Sequence, residues 1–210
     1  MTAKSKASAS VTRREAKAST RARLLDAALE ILDDEGEAGL TTTAVTRRAG
    51  VAQPTFYGHF ADVDDLLGAL IEEVAEKRRT ETRRARSDAR HGATGALRET
   101  FRIPLEDMLA HPKLFRLLVK SRFERSPLGD WSRSVLQASR TALVEDLTNA
   151  GMPARSASDR RKVRMVADGV IALTETLALG RLDGRYPDTD EVIDILIAFS
   201  RGYFPLLRPS

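Results

Sequence analysis

The 210-residue chain contains no cysteine. That absence excludes disulfide scaffolds, Cys-ligated zinc, iron–sulfur clusters and thiol catalysis together. No apolar run approaches the ~20 residues that a bilayer span requires. The first 19 residues, Met1 to Ser19, lack the hydrophobic stretch of a secretory signal. Histidine is scarce: His59, His91 and His111 are scattered, with no H-x-x-x-H pair for a metal. No glycine-rich phosphate loop is present. The acidic clusters Asp33–Asp34–Glu35 and Asp62, Asp64, Asp65 fit helix ends and caps better than paired catalytic carboxylates. Convincing runs of alternating β-branched residues are missing too. The expectation is a cytoplasmic, all-α, non-enzymatic protein without a cofactor or a membrane partner. At roughly 150 residues per domain it has one domain or two small ones. A chain of this size buries on the order of 70% of its unfolded surface, enough for a core without staples.

Net charge is small, +4, and unevenly placed. Lys4, Lys6, Arg13, Arg14, Lys17, Arg21 and Arg23 face one acid, Glu15, over the first 25 residues. A basic, Ser/Ala-rich lead-in over residues 1–18 reads as a disordered arm that suits a polyanion such as nucleic acid. A solubilising tail has the same composition.

Helical periodicity dominates the rest of the chain. A first helix is expected after Ser19 or Thr20, either of which can cap it, with Leu24, Leu25, Ala28, Leu29, Ile31 and Leu32 on one stripe and a stop at Gly36. A second, short helix follows Thr41–Thr42–Thr43 and ends at Gly50. Pro54 fits the first turn of a third, and Asp62 caps a fourth beginning at Val63. That fourth helix runs into a basic stretch, Lys77 to Arg90, which reads as a solvated helix end, a linker or a second nucleic-acid patch. Gly92 and Gly95 suggest a break. Amphipathic segments then cover about 96–110, 112–123 and 130–149, followed by two strongly apolar helices at 158–179 and 189–206. No internal repeat is visible.

Residues 41–60 read TTTAVTRRAGVAQPTFYGHF. Two short helices around a glycine turn are what a helix-turn-helix requires, the second entering the major groove. Val45 and Ala49 are expected to face inward and Val51 to pack beneath the turn. Phe56 and Phe60, four apart, anchor the second helix. Its opposite face then presents Gln53, Thr55, Tyr57 and His59, donors and acceptors suited to bases and phosphates. Alternatives remain for single residues: Thr42 as an N-cap, Tyr57 as a core aromatic with a satisfied hydroxyl, His59 as a helix end.

The segments ARLLDAALEIL and RRAGVAQPTFYGHFADVDDLL, with the threonine cluster between them, resemble the TetR family of transcriptional regulators over about residues 20–70. The resemblance implies an all-α fold in which a three-helix DNA-binding domain, here residues 19–65, precedes a helical ligand and dimerisation domain, here residues 66–210. It implies that Gln53, Pro54, Thr55, Tyr57 and His59 touch bases or backbone and that Thr42 touches a phosphate. Thr43 stands where a base-reading Arg occurs in the family, so the operator differs. Val63 stands where many members carry a phosphate-binding Lys. Anchoring then falls to the backbone N–H groups at that helix start or to the N-terminal arginines. The implied function is a dimeric DNA-binding regulator acting as a repressor on double-stranded operator DNA.

For the second domain, the family's dimer seam points to the last two helices, with Val163, Val166, Val170, Leu173 and Leu177 on one and Ile193, Leu196, Ile197 and Phe204 on the other. Monomer core is the competing assignment for those stripes. The runs FYGHFADVDDL and PKLFRLLVKSRFERSPLG are similar to the unsaturated-fatty-acid biosynthesis repressors, which bind acyl thioesters. That implies a small hydrophobic effector, long-chain acyl-CoA in particular, and control of fatty-acid metabolism genes. Phe101, Leu105, Met108, Phe115, Leu118, Val119, Phe123 and Trp131 are candidates to line an apolar tunnel. Arg122, with Arg116 and Arg125, is placed to hold a phosphate or thioester oxygen at its mouth. Plain core for the apolar set and a solvated face for the arginines are equally open. Two further alternatives stand: a repressor sensing another hydrophobic or xenobiotic ligand, as in efflux control, and a helical adaptor that binds only protein.

Overall fold

In the computed structural model, residues 2–91 and 95–206 are described, with side chains for residues 15–91 and 95–202. Among the described residues there are nine α-helices and one short 3-10 turn, Glu37–Gly39, and no strand. The helices are α1 (Thr2–Glu35), α2 (Thr42–Ala49), α3 (Gln53–Tyr57), α4 (Val63–Arg90), α5 (Ala96–Ala110), α6 (Pro112–Ser121), α7 (Pro127–Asn149), α8 (Ala157–Leu182) and α9 (Thr189–Leu206).

Helix α1 departs from expectation at its start. Its backbone is helical from Thr2, through the arm that reads as disordered. No proline or glycine falls between residues 2 and 35, and alanine, lysine and arginine sustain a helix. Ser19 and Thr20 therefore lie inside α1. Thr20 spends its hydroxyl on the carbonyl of Ala16 at 3.0 Å, one turn back, which an N-cap cannot do. The side chains of Lys4, Lys6, Arg13 and Arg14 lie outside the described residues.

Other boundaries follow local chemistry. Asp62 caps α4 by accepting from the Asp65 amide at 2.8 Å. Ser126 caps α7, which starts three residues earlier than its apolar pattern suggests because Pro127 occupies the first turn. Ser156 and Asp159 form a reciprocal capping box at the head of α8.

Two cores result. The first gathers Leu24, Ala28, Ile31 and Leu32 of α1, Val45 and Ala49 of α2, Phe56 of α3, and Leu66, Leu70 and Ile71 of α4. The second joins Phe101, Leu105 and Met108 of α5 to Ala178 of α8 and Ile193 and Leu196 of α9. Helix α6 serves both: Leu114 and Leu117 pack into the first core and Phe115 into the second. Helix α4 begins in the first core and continues for 28 residues, so residue 65 falls inside its first turn.

The last two helices correct the expected seam. Val163, Ile193 and Leu196 are fully buried within the chain, and Val170, Leu173, Leu177 and Ile197 pack against the second core. The apolar side chains these helices leave in solvent are Met165 (70% exposed), Ile195 (44%) and Phe199 (52%). Both helices are apolar on more than one face, and periodicity alone does not say which face the monomer uses. The Phe204 side chain lies outside the described residues. No helix of the described residues is long and apolar enough to cross a membrane.

Candidate nucleic-acid interface and cavity

Helix α2 is capped by Thr41, whose hydroxyl accepts from the Ala44 amide at 3.1 Å. Thr42 is thus the first helical residue rather than the cap, and it is half-buried. Thr46 donates to its carbonyl at 2.8 Å. The turn needs Gly50, which sits in the left-handed region at φ 64°. Arg23 of α1 donates to the carbonyls of Ala49 and Gly50, satisfying the end of α2 and fixing the turn to α1. Arg48 fastens the same helix from the other side, reaching Glu30 at 3.3 Å and Asp34 at 3.1 Å.

Helix α3 follows with Pro54 in its first turn. Phe56 is fully buried, edge-on to Tyr57 and 5.8 Å from Phe60, itself buried. Arg21 of α1 lies over the Phe60 ring at 5.6 Å. With that side spent on the core, Gln53, Pro54, Thr55 and Tyr57 are exposed, Tyr57 by 60%. Gln53 Nε2 donates to Thr43 Oγ1 at 3.2 Å, so the polar faces of α2 and α3 form one surface. His59 is half-buried beside it. Burial, then Lys17 and Arg21, hold its imidazole below the ordinary histidine range.

The structure decides between the two anchoring options left by Val63. The head of α4 is occupied by its own carboxylates: Asp65 accepts from the Ala61 amide and Asp62 from the Asp65 amide. Three acids at that helix start oppose a phosphate there. Lys17 of α1, exposed and close enough to His59 to depress its pKa, is the better-placed cation. Composition counted Lys17 among the basic residues of the lead-in. Only the helical continuation of α1 gives it a fixed position.

A cavity of about 450 Å³ opens between α4, α5, α6, α7 and α8. Phe101, Met108, Phe115, Leu118 and Arg122 line it as expected. Leu105 is buried behind them in the second core, and Val119 is packed against that core without reaching the cavity. Phe123 is 87% exposed on the loop after α6. Trp131 is elsewhere: its indole lies over Gly68 of α4, where an added Cβ would meet the ring at 2.3 Å. Arg116 is paired with Asp183 at 2.7 Å outside the cavity, and Arg125 is exposed and is not in its lining.

Sequence reading missed the cavity's polar wall. Arg78, Arg79, Thr82, Arg86 and Arg90 of α4 line it, so much of the basic stretch points inward. It is neither linker nor external patch. The signal was the spacing of residues 78, 82, 86 and 90, four apart on one helix face. Arg86 binds Asp146 at 2.8 Å and Arg78 binds Asp107 at 3.1 Å. Burial pushes Asp107 above the usual carboxylate range despite Arg78, and burial pulls Arg86 below the usual guanidinium range despite Asp146. Among the described residues, no three His, Asp or Glu side chains gather as a metal site.

This arrangement has relatives. Residues 24–70 match the family model for bacterial regulatory proteins of the tetR family. A structure from Rhodococcus sp. assigned to the TetR-family transcriptional regulators aligns with a TM-score of 0.70 at 20% identity, covering 88% of this chain and 97% of the other. The fatty acid degradation regulator FadR from Bacillus halodurans aligns with a TM-score of 0.64 at 18% identity, over 85% and 92%. A Clostridium perfringens structure described as a fatty acid metabolism regulator gives 0.61 at 14%, over 83% and 94%. The fold is the TetR fold. Fold and matched segment together define a TetR-type DNA-binding transcription regulator.

Proposed function

We propose that the chain is a homodimeric repressor. Its α3 reads an operator in the major groove, and its cavity takes a small apolar effector that alters DNA affinity. Gln53, Thr55, Tyr57 and His59 contact bases or backbone, Pro54 sets the entry of α3, and Thr42 and Thr43 flank it on α2. Residues 19–65 with the following turns of α4 form the DNA-binding unit, and the remainder holds the effector and the dimer seam. The observation that carries this reading is the division of α3: Phe56 is fully buried while the residues around it leave an unbroken polar face in solvent.

The seam uses Met165, Ile195 and Phe199, the apolar side chains that α8 and α9 leave uncovered. For the effector we favour a lipid acyl compound, with long-chain acyl-CoA as the form suggested by the resemblance of residues 112–129. The likeness to two structures named as fatty acid regulators supports that class.

Selection from random duplexes with the purified protein tests the regulator. It should recover a short palindrome whose half-sites lie about 34–36 Å apart or a multiple of that. Affinity should fall steeply with salt, by about 0.9 in log–log slope per neutralised phosphate. Recovery of no shared sequence, with weak binding to all duplexes alike, overturns it.

A further inference from the structure

We propose that the cavity is built for an apolar carboxylate, the hydrocarbon lying along α5 to α8 and the acid group accepting hydrogen bonds from Arg79 and Arg122. This rests on the reading of the cavity as the effector site and narrows its ligand by chemistry.

Two donors argue for it. Arg79 Nη1 and Arg122 Nε are buried and have no hydrogen-bond partner, and both residues line the cavity. Buried polar groups almost always find partners, and a charged donor without one is the costlier exception. Neither side chain is free to swing away. Arg122 is held by Glu175 through both terminal nitrogens, at 2.7 and 2.6 Å. Arg79 is held by Glu76 through Nε at 3.0 Å and Nη2 at 2.6 Å. The unused N–H groups are therefore fixed in place before any ligand arrives, and a carboxylate has acceptor sites for both.

Charge and size agree. Five arginines line the space against two carboxylates, Asp146 and Glu175. Burial already disfavours the charged form of Arg86 there, and an entering anion relieves that penalty. An alcohol or hydrocarbon of the same shape brings no charge, and a thioester brings only a neutral carbonyl. At ~30 Å³ per water-sized group, 450 Å³ corresponds to about fifteen such groups. That suits a chain of about ten carbons with its acid and leaves no room for a nucleotide.

The test is calorimetric titration of the full-length protein with decanoate, 1-decanol and decanoyl-CoA. Decanoate should bind once per chain and at least tenfold more tightly than decanol. In Arg122→Lys, which keeps a cation beside Glu175 but removes the Nε donor, that ratio should fall several-fold, and likewise in Arg79→Gln. The ratio is taken within each variant, so a general loss of stability does not mimic the result. Equal affinity for acid and alcohol, no binding of decanoate, tighter binding of decanoyl-CoA, or variants with an unchanged ratio each overturn the proposal. The operator selection is run without ligand. A protein that selects a palindrome but ignores decanoate loses this inference alone. One that binds decanoate but no DNA loses the regulatory reading and keeps the pocket assignment.

Discussion

His111 Nδ1 lies 3.0 Å from Asp33 Oδ2, joining the α5–α6 junction to the last turn of α1. Two residues along, Lys113 donates to the Asp34 carbonyl at 2.9 Å. The other oxygen of Asp33 is buried without a partner, so the carboxylate is held by a single link. The opposite end of α6 leads into Arg122 at the cavity. Occupancy of the cavity and the pose of α1 therefore meet on one ten-residue helix.

Asp33→Ala cuts that link without touching either candidate binding surface. Operator affinity and ligand affinity, measured separately, should each stay within a few-fold of the parent. The factor by which ligand changes operator affinity, commonly about 5–150-fold in coupled systems, should shrink toward one. Anisotropy titrations with and without ligand report it, and an unchanged factor removes α6 from the coupling.

Substitutions on the two sides of α3 should separate. Gln53→Ala and Tyr57→Ala remove exposed groups, each worth about 1–3 kcal/mol of recognition if it meets a base edge. Operator binding should drop by roughly tenfold while circular dichroism and thermal midpoint hold. Phe56→Ala empties a fully buried site and should cost about 3–5 kcal/mol of stability. Loss of operator binding in all three through unfolding would show that α3 is only structural.

His59 gives a pH signature with a definite sign. Its folded pKa is depressed, by burial first and then by Lys17 and Arg21. The unfolded chain takes up the proton first on acidification, so its contribution to stability is constant above about pH 6.5 and declines below. A DNA phosphate beside the ring acts oppositely: it raises the pKa in the complex, and binding takes up a proton. Operator affinity should therefore rise as pH falls through the range near about 6.5, where His59→Gln should follow a flatter profile.

At the proposed seam, Phe199→Glu or Met165→Glu places a charge on an exposed apolar position and should convert dimer to monomer at micromolar concentration in sedimentation velocity. The fold should persist, because neither residue belongs to a buried core cluster.

Gly68→Ala should destabilise the chain by about 1–3 kcal/mol through overpacking, since its Cβ has no room beside the Trp131 indole. Trp131 is the sole tryptophan, so its fluorescence should shift as well. In a Trp131→Ala background the same change should cost less, the mark of a direct contact.

Much of this was legible in the chain itself. The glycine turn at Gly50, the cap at Asp62 and the Phe56–Phe60 anchor are local devices, written in consecutive residues, and they position the candidate reading face. The cavity was legible only on its apolar side. Phe101, Met108 and Phe115 announce themselves by hydrophobic spacing, whereas an inward-facing arginine on α4 looks like any solvated one until its partner is known. Asp146, which binds Arg86, is 60 residues away. Trp131 failed as a lining residue for a related reason: its neighbour Gly68 carries no side chain to betray the contact. Phe123 failed because the loop after α6 turns it outward, and periodicity ends where a helix does.

Helix α4 carries one more consequence. It runs unbroken from the Asp62 cap to Arg90, about 42 Å at 1.5 Å per residue. Grafting a foreign reading head onto this chain thus means splicing within a rod, where phase matters. A single residue inserted between Ile71 and Arg78 would rotate everything beyond it by about 100°, turning the inward guanidinium row away from its chamber while every hydrogen bond of the rod survived.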